Sequence, residues 1–253
     1  MDIRKRIVNQ LKKEFENNPN VFAFWLEGSD AIGKNDEYSD LDPWLDVADG
    51  KEEEIFNKVE IALKNIASLD ISFEVEHPDK KIRQKYYHLK GTSKYLLIDL
   101  CIQSHSRKFK FIKGHKYEVP QVIFDKNNVI RFLTIENENL KMQNQQRLHY
   151  LENRFGQTAR VKKYIKRGKF LEALIYYHEW ALKPLVELLR IKYTPLISNY
   201  YLVKISDDLP KEALKKVEDL YRVSSISEIE KKLPNAQHLF EATMEEVKAK
   251  IKS

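Results

Sequence analysis

The stretch from Val21 to Val47 constrains the fold most. It opens with Val21-Phe22-Ala23-Phe24-Trp25-Leu26, an apolar run of strand length and β-forming composition. A polar segment follows from Gly28, reading GSDAIGKNDEYS. Then come Asp40-Leu41-Asp42 and a second strand through Trp44, Leu45 and Val47. Side chains on a strand alternate faces, so Asp40 and Asp42 share one face and Leu41 takes the other. Two carboxylates about 7 Å apart repel each other unless a cation lies between them. Hard cations such as Mg²⁺ take oxygen ligands and share them with substrate phosphates. Gly28 lets backbone N–H groups approach a phosphate, and the Ser29 hydroxyl adds a donor. The stretch therefore reads as a site for a metal-bound nucleoside triphosphate.

The flanking segments supply a sheet and its cover. Ile3, Ile7, Leu11 and Phe15 predict an amphipathic helix over residues 2–17, ended by Asn18-Pro19-Asn20. Residues 51–66 predict a second helix with Ile55, Val59, Ala62, Leu63 and Ile66 on one side. Ile71 to Glu76 alternates as a half-buried strand. KKIRQKYYHLK, residues 80–90, is basic and aromatic; a strand with one wet face is preferred over a nucleic-acid contact. KYLLIDLCIQ, residues 94–103, is the most apolar strand candidate, and Asp99 sits in its middle. A carboxylate inside a buried strand is costly unless paired or metal-bound. Val122 to Ile130 reads as a hairpin-like turn. From about Glu136 helical periods dominate, with Pro184 expected to kink or restart a helix and Pro234 to separate two more.

Gly28-Ser29, the polar gap and Asp40-Leu41-Asp42 resemble the signature of the DNA polymerase β-like nucleotidyltransferase superfamily. The antibiotic nucleotidyltransferases, which act on aminoglycosides and lincosamides, belong to it. The sequence departs from that pattern twice. Glu27 stands where an apolar residue usually precedes the glycine, and Pro43 where one usually follows the second acid. Proline removes a ladder donor, so the strand is expected at a sheet edge or bent there.

The resemblance implies an α+β protein: a nucleotidyltransferase-type mixed sheet with flanking helices over residues 1–134, then a helical acceptor-binding bundle over 135–253. It implies an adenylyltransferase-like enzyme that moves a nucleoside monophosphate from a triphosphate such as ATP to a hydroxyl of a small, antibiotic-like acceptor. Asp40, Asp42 and Asp99 would hold two Mg²⁺ ions, with Asp99 completing the metal site or acting as general base. Gly28 and Ser29 would hold the β- and γ-phosphates. Glu74 and Glu76 are reserves for the third acid, each more readily the wet face of its strand. Asp46 shares a face with Asp40 and Asp42 but lies farther from the loop, as a solvated strand end. Glu179, on a later helix, is a candidate acceptor-side base.

The totals set limits. The 253 residues suffice for one large domain or two ordinary ones. No apolar run approaches the roughly 20 residues of a membrane span. A lone cysteine, Cys101, excludes an internal disulfide framework and fits a reducing cytoplasm. Forty-four basic against 38 acidic residues leave a net charge of +6, which suits an anionic partner without specifying one. His105 and His115 have no partner at metal-ligand spacing and read as surface residues. Two other readings stay open: nucleotidyl transfer to a protein or RNA of the toxin–antitoxin type, and a non-catalytic nucleotide-binding module.

Overall fold

The computed structural model describes residues 2–252. The chain forms two compact units that divide between Thr134 and Ile135.

The first unit is built on a mixed six-stranded sheet. Helix α1 (Ile3–Phe15), capped by the Asp2 carboxylate, precedes β1 (Val21–Leu26). A single helical turn, α2 (Gly28–Ala31), opens the polar loop, and β2 (Pro43–Val47) follows it. Helix α3 (Glu52–Lys64) leads to β3 (Leu69–Val75), β4 (Ile82–Leu89) and β5 (Ile98–Ser104). Short strands β6 (Phe111–Ile112) and β8 (Phe132–Leu133) pair with each other, and β7 (Gln121–Asp125) joins the main sheet. The order is β3-β4-β5-β2-β1-β7, with β2 and β5 parallel and the other neighbours antiparallel.

One face of this sheet is the main core. Ile7, Leu11 and Phe15 of α1 and Ile55, Phe56, Val59 and Leu63 of α3 pack on Phe24, Leu45, Val47, Ile98, Leu100 and Ile102. Each such side chain, fully buried, contributes about 1.5–3 kcal/mol. The strands therefore present their apolar alternates to the helices, and the polar alternates are left for the opposite face.

Three local expectations change. Pro43 lies at the first residue of an interior strand rather than at an edge or a bend. A first residue tolerates proline because its missing N–H opens no gap inside the ladder. The Val122–Ile130 stretch is not a hairpin: β7 pairs with β1 and β8 with β6. The Asp125 carboxylate instead accepts the amides of Val129 and Ile130, both at 2.9 Å, and turns the chain away. Ile71 and Phe73 are exposed, since they point away from α3 to the open face, where Phe73 meets the Tyr86 ring at 5.3 Å between centroids.

The second unit is helical: α4 (Asn137–Phe155), α5 (Ala159–Lys166), α6 (Phe170–Tyr177), α7 (Lys183–Tyr193), α8 (Ile205–Asp208), α9 (Lys211–Tyr221) and α10 (Ile226–Lys252). A π-helical segment, His178–Leu182, separates α6 from α7, and Pro184 sits in the first turn of α7, where proline is tolerated. Pro234 does not end a helix; α10 runs through it. Pro234 is exposed, so water can satisfy the carbonyl it leaves without a partner. The core gathers Leu148, Leu151, Ala181, Leu185, Leu189, Leu220 and Phe240. Arg190 is fully buried, donating to the carbonyls of Tyr201 and Val203 and pairing with Asp208 at 2.9 Å. Among the described residues, no helix is long and apolar enough to cross a membrane.

Candidate functional site

Register brings the acids together. Trp44 lies level with Cys101 in the parallel β2–β5 pair, and an isolated bridge joins Leu41 to Ile98. Asp42 is therefore level with Asp99, on strands about 4.8 Å apart. The Leu41 carbonyl accepts the Asp99 amide at 2.8 Å, and the Leu41 amide reaches the Leu97 carbonyl at 2.8 Å. On the other side β1 pairs Leu26 with Pro43, and the Glu27 amide donates to the Asp42 carbonyl at 3.0 Å. Tyr86 of β4 lies opposite Asp99. A polar row of Tyr86, Asp99, Asp42 and Glu27 thus crosses four neighbouring chain segments. Leu41, Ile98 and Leu100, one residue out of phase, belong to the helix-covered core.

Gly28 closes the row at its end. Its φ is +63°, a left-handed conformation that L side chains adopt only under strain. A Cβ placed on it would fall 1.9 Å from Asp42 Oδ2. The glycine is required twice, for its backbone angle and for the carboxylate that fills the missing side chain's place. Ser29 follows, and its hydroxyl is buried without a hydrogen-bond partner. An orphaned buried hydroxyl is uncommon, because burying it without a bond costs about 1–3 kcal/mol.

Arg4 of α1 ties the loop to the acids. Its guanidinium forms an ion pair with Asp30, donating Nε–H to Oδ1 at 3.2 Å, and reaches the carbonyls of Ser39, at 2.7 Å, and Asp40. Asp40 is exposed, while Asp42 and Asp99 are half-buried. Gln84 donates to Asp99 Oδ1 at 2.7 Å, and Tyr86 also hydrogen-bonds this carboxyl. Arg83 and Lys85, also on β4, point to the other face and lie over the Phe56 ring. β4 therefore sends an amide and a phenol, not cations, toward the acids.

The electrostatics follow from this crowding. Burial, then the charges of Asp40, Asp99, Asp30 and Glu27, raises the Asp42 pKa to about 7. Burial also raises Asp99, against the hydrogen bond from Gln84 and with the charge of Asp40. Glu27 is pushed up to about 7 by burial, although Trp25 Nε1 donates to it at 2.9 Å. Carboxyls that resist ionisation beside one another are the donor set that a hard cation relieves. The residues fit a divalent metal in donor chemistry. Among the described residues, however, no three His, Cys, Asp or Glu side chains stand close enough to hold an ion as they are, so these acids would have to draw in around one.

Gly28, Ser29, Asp40, Asp42 and Asp99 are all brought to this end of the sheet. Glu74 and Glu76 are not. Glu74 of β3 pairs with Arg83 of β4 at 2.7 Å on the side that α3 covers, and the exposed Glu76 pairs with Lys80 at 2.5 Å. Glu179 lies in the π-helical segment of the helical unit, held by Arg154 at 2.5 Å and near Lys183 at 3.8 Å.

Asp46 is not a solvated strand end. It is 1% exposed and accepts Gln103 Nε2 at 2.7 Å and contacts His105 Nδ1 at 2.5 Å. Position 46 faces the same side as Asp42, but a neighbouring strand covers it. His105 is therefore partnered, and His115 is buried, accepting the Glu118 amide at 2.8 Å. The sequence reading missed Arg4, Gln84 and Tyr86. The only signal for the last two is their alternation on the strand beside Asp99. Glu27, noted only as a departure, is the third carboxyl of the row, after Asp99 and Asp42.

No protein-family model matches the chain, and no curated protein matches it in sequence. Among solved structures it is similar to an aminoglycoside 6-adenyltransferase from Bacillus subtilis, at 14% identity and a TM-score of 0.38, over 96% of this chain and 89% of that one. It is similar to a nucleotidyltransferase-like protein from Exiguobacterium sibiricum at 12% identity and a TM-score of 0.38, over 97% of this chain and 78% of that one. It is also similar to a GLD-2/RNP-8 complex structure at 10% identity and a TM-score of 0.30, over 76% of this chain but only 41% of that one.

Proposed function

We propose that the first unit catalyses transfer of a nucleoside monophosphate from a triphosphate, ATP by preference, to a hydroxyl of a small acceptor. One observation carries this reading. Asp42 stands between Asp99 and Glu27 with its carboxylate against Gly28, beside the partnerless Ser29 hydroxyl. A glycine that admits a carboxylate at such close range, next to a spare donor, suits a site where phosphates and acids must share one cation.

Asp40, Asp42 and Asp99 would hold a divalent metal, with Mg²⁺ the expected ion. When bound, it supplies the positive charge that offsets the phosphates and the departing pyrophosphate. Gly28 lets the phosphate chain approach the backbone, and the Ser29 Oγ–H donates to a phosphate oxygen. The acceptor oxygen attacks the α-phosphorus, the bond to the β-phosphate bridging oxygen breaks, and pyrophosphate leaves. The hydroxyl proton passes to Asp99, whose Oδ1 is held in place by Gln84. Glu179, occupied by Arg154 and Lys183, then has an ion-pairing role. Recognition of the acceptor is assigned to the helical unit.

The test is incubation with labelled nucleoside triphosphates against a panel of hydroxyl-bearing acceptors. Asp40→Asn and Asp42→Asn should each abolish transfer while the thermal midpoint stays within a few degrees of wild type. Normal turnover in either variant would remove the acids from the chemistry.

A further inference from the structure

A cavity of about 700 Å³ opens at the other end of the same sheet face, wholly within the first unit. Asp46 lies four residues beyond Asp42, which places it about 13 Å along the strand from the acid row. Trp25 and Trp44, stacked at 5.8 Å between ring centroids, lie between the two ends.

The charges at the two ends are opposite. The acid row is crowded with carboxyls. The far cavity is lined by Lys108, Lys110, Arg131, Arg107 and His105. Lys108, Lys110 and Arg131 are exposed, and none makes an ion pair among the described residues. Arg131 Nε donates to the Asn128 carbonyl at 2.9 Å, which fixes the start of its guanidinium and leaves its terminal nitrogens available. Arg107 bonds Asp79 at 2.9 Å and Gln103 Oε1 at 2.8 Å, so it is held in place. Asp46 is the one carboxylate of the lining, and it is closed over by Gln103 and His105. Asp125 nearby faces backbone amides instead.

Three exposed cations without an ion pair, gathered around a concavity of ligand size, suit an anion with several charged groups. We propose that this cavity binds an oligophosphate chain without a metal ion, either inorganic or the phosphate tail of a nucleotide. Arg131 offers a planar fork for one phosphate, and the two lysines serve as point charges for its neighbours. The acid row repels the same chain when no cation is present, so the two ends are separable by metal alone. This inference stands whether or not the unit transfers nucleotides.

The experiment is calorimetric titration of the full chain in EDTA at low salt, with tripolyphosphate and separately with ATP. Saturable binding of tripolyphosphate is expected, weakening with added salt. The triple variant Lys108→Ala, Lys110→Ala, Arg131→Ala should bind at least about tenfold more weakly. Its thermal midpoint should not change, since all three side chains are exposed. Equal affinity for ATP assigns recognition to the phosphate chain, and tighter ATP binding adds a nucleoside contact; both uphold the site. Absence of saturable binding in wild type, or undiminished binding by a folded triple variant, overturns it.

Discussion

The carboxylate of Asp42 occupies the volume in which a side chain on Gly28 would begin. A side chain cannot be added at Gly28 without displacing that carboxylate. In Gly28→Ala the new methyl must expel the carboxylate, and the left-handed backbone adds about 1–2 kcal/mol of strain. The variant should lose stability by that order, and transfer should fall roughly a hundredfold or more because the acid is misplaced. Chemical denaturation and a labelled-nucleotide assay read the two losses separately.

Ser29→Ala should behave in the opposite way. The hydroxyl is buried with no partner in the protein, so its removal should not lower stability and should raise it by up to about 1–3 kcal/mol. Nucleotide binding should weaken about tenfold or more, the worth of one hydrogen bond to a charged group. Titration with an uncleavable ATP analogue in the presence of Mg²⁺ measures it. Unchanged affinity would release Ser29 from the phosphate role.

Glu27 sets a pH dependence. Its pKa rises from 4.5 to about 7 on folding, chiefly through burial. A carboxyl raised in this way contributes its stability fully below the unfolded value, and that contribution is lost as pH climbs through the folded value. In EDTA the protein should therefore become less stable between pH 5 and pH 8, by no more than about 3 kcal/mol from this group. Glu27→Gln, which keeps an acceptor for Trp25 Nε1, should make the profile shallower and leave the part that Asp42, raised over the same range, contributes. Thermal midpoints across that range decide it.

The helical unit depends on a buried ion pair. Arg190 and Asp208 are both fully enclosed at 2.9 Å. Arg190→Ala removes a buried ion pair together with the donors to the Tyr201 and Val203 carbonyls, and should cost about 3–5 kcal/mol. The double variant Arg190→Met, Asp208→Leu should recover much of that. Far-ultraviolet circular dichroism during denaturation follows the helical content of both variants.

The sequence carried the alternation that matters. Asp40, Leu41 and Asp42 take the faces their parity assigns, and Asp99 falls out of phase with the core residues Ile98 and Leu100. What it could not carry was register. That Asp42 lies level with Asp99 depends on β2 and β5 pairing in parallel, across more than fifty intervening residues. Asp46 shows the same limit. Its parity was readable, but its burial is imposed by Gln103 and His105 from another strand. Arg4 was hidden for a related reason. Its role comes from α1 meeting a loop, and nothing local to an amphipathic helix marks one arginine as a clasp.

The strict two-residue rhythm of β2 has a consequence for how such a protein can vary. Deleting or inserting one residue between Asp42 and Val47 would rotate the strand by half a period. Leu45 and Val47 would leave the apolar layer for the face where Gln103 and His105 now meet Asp46, and Asp46 would turn into the apolar layer beneath the helices. Along β2 the fold therefore tolerates the exchange of one side chain for another but not a change of length. Changes in length must be absorbed by the polar loop upstream, where Asn35 to Tyr38 are exposed and outside the ladder.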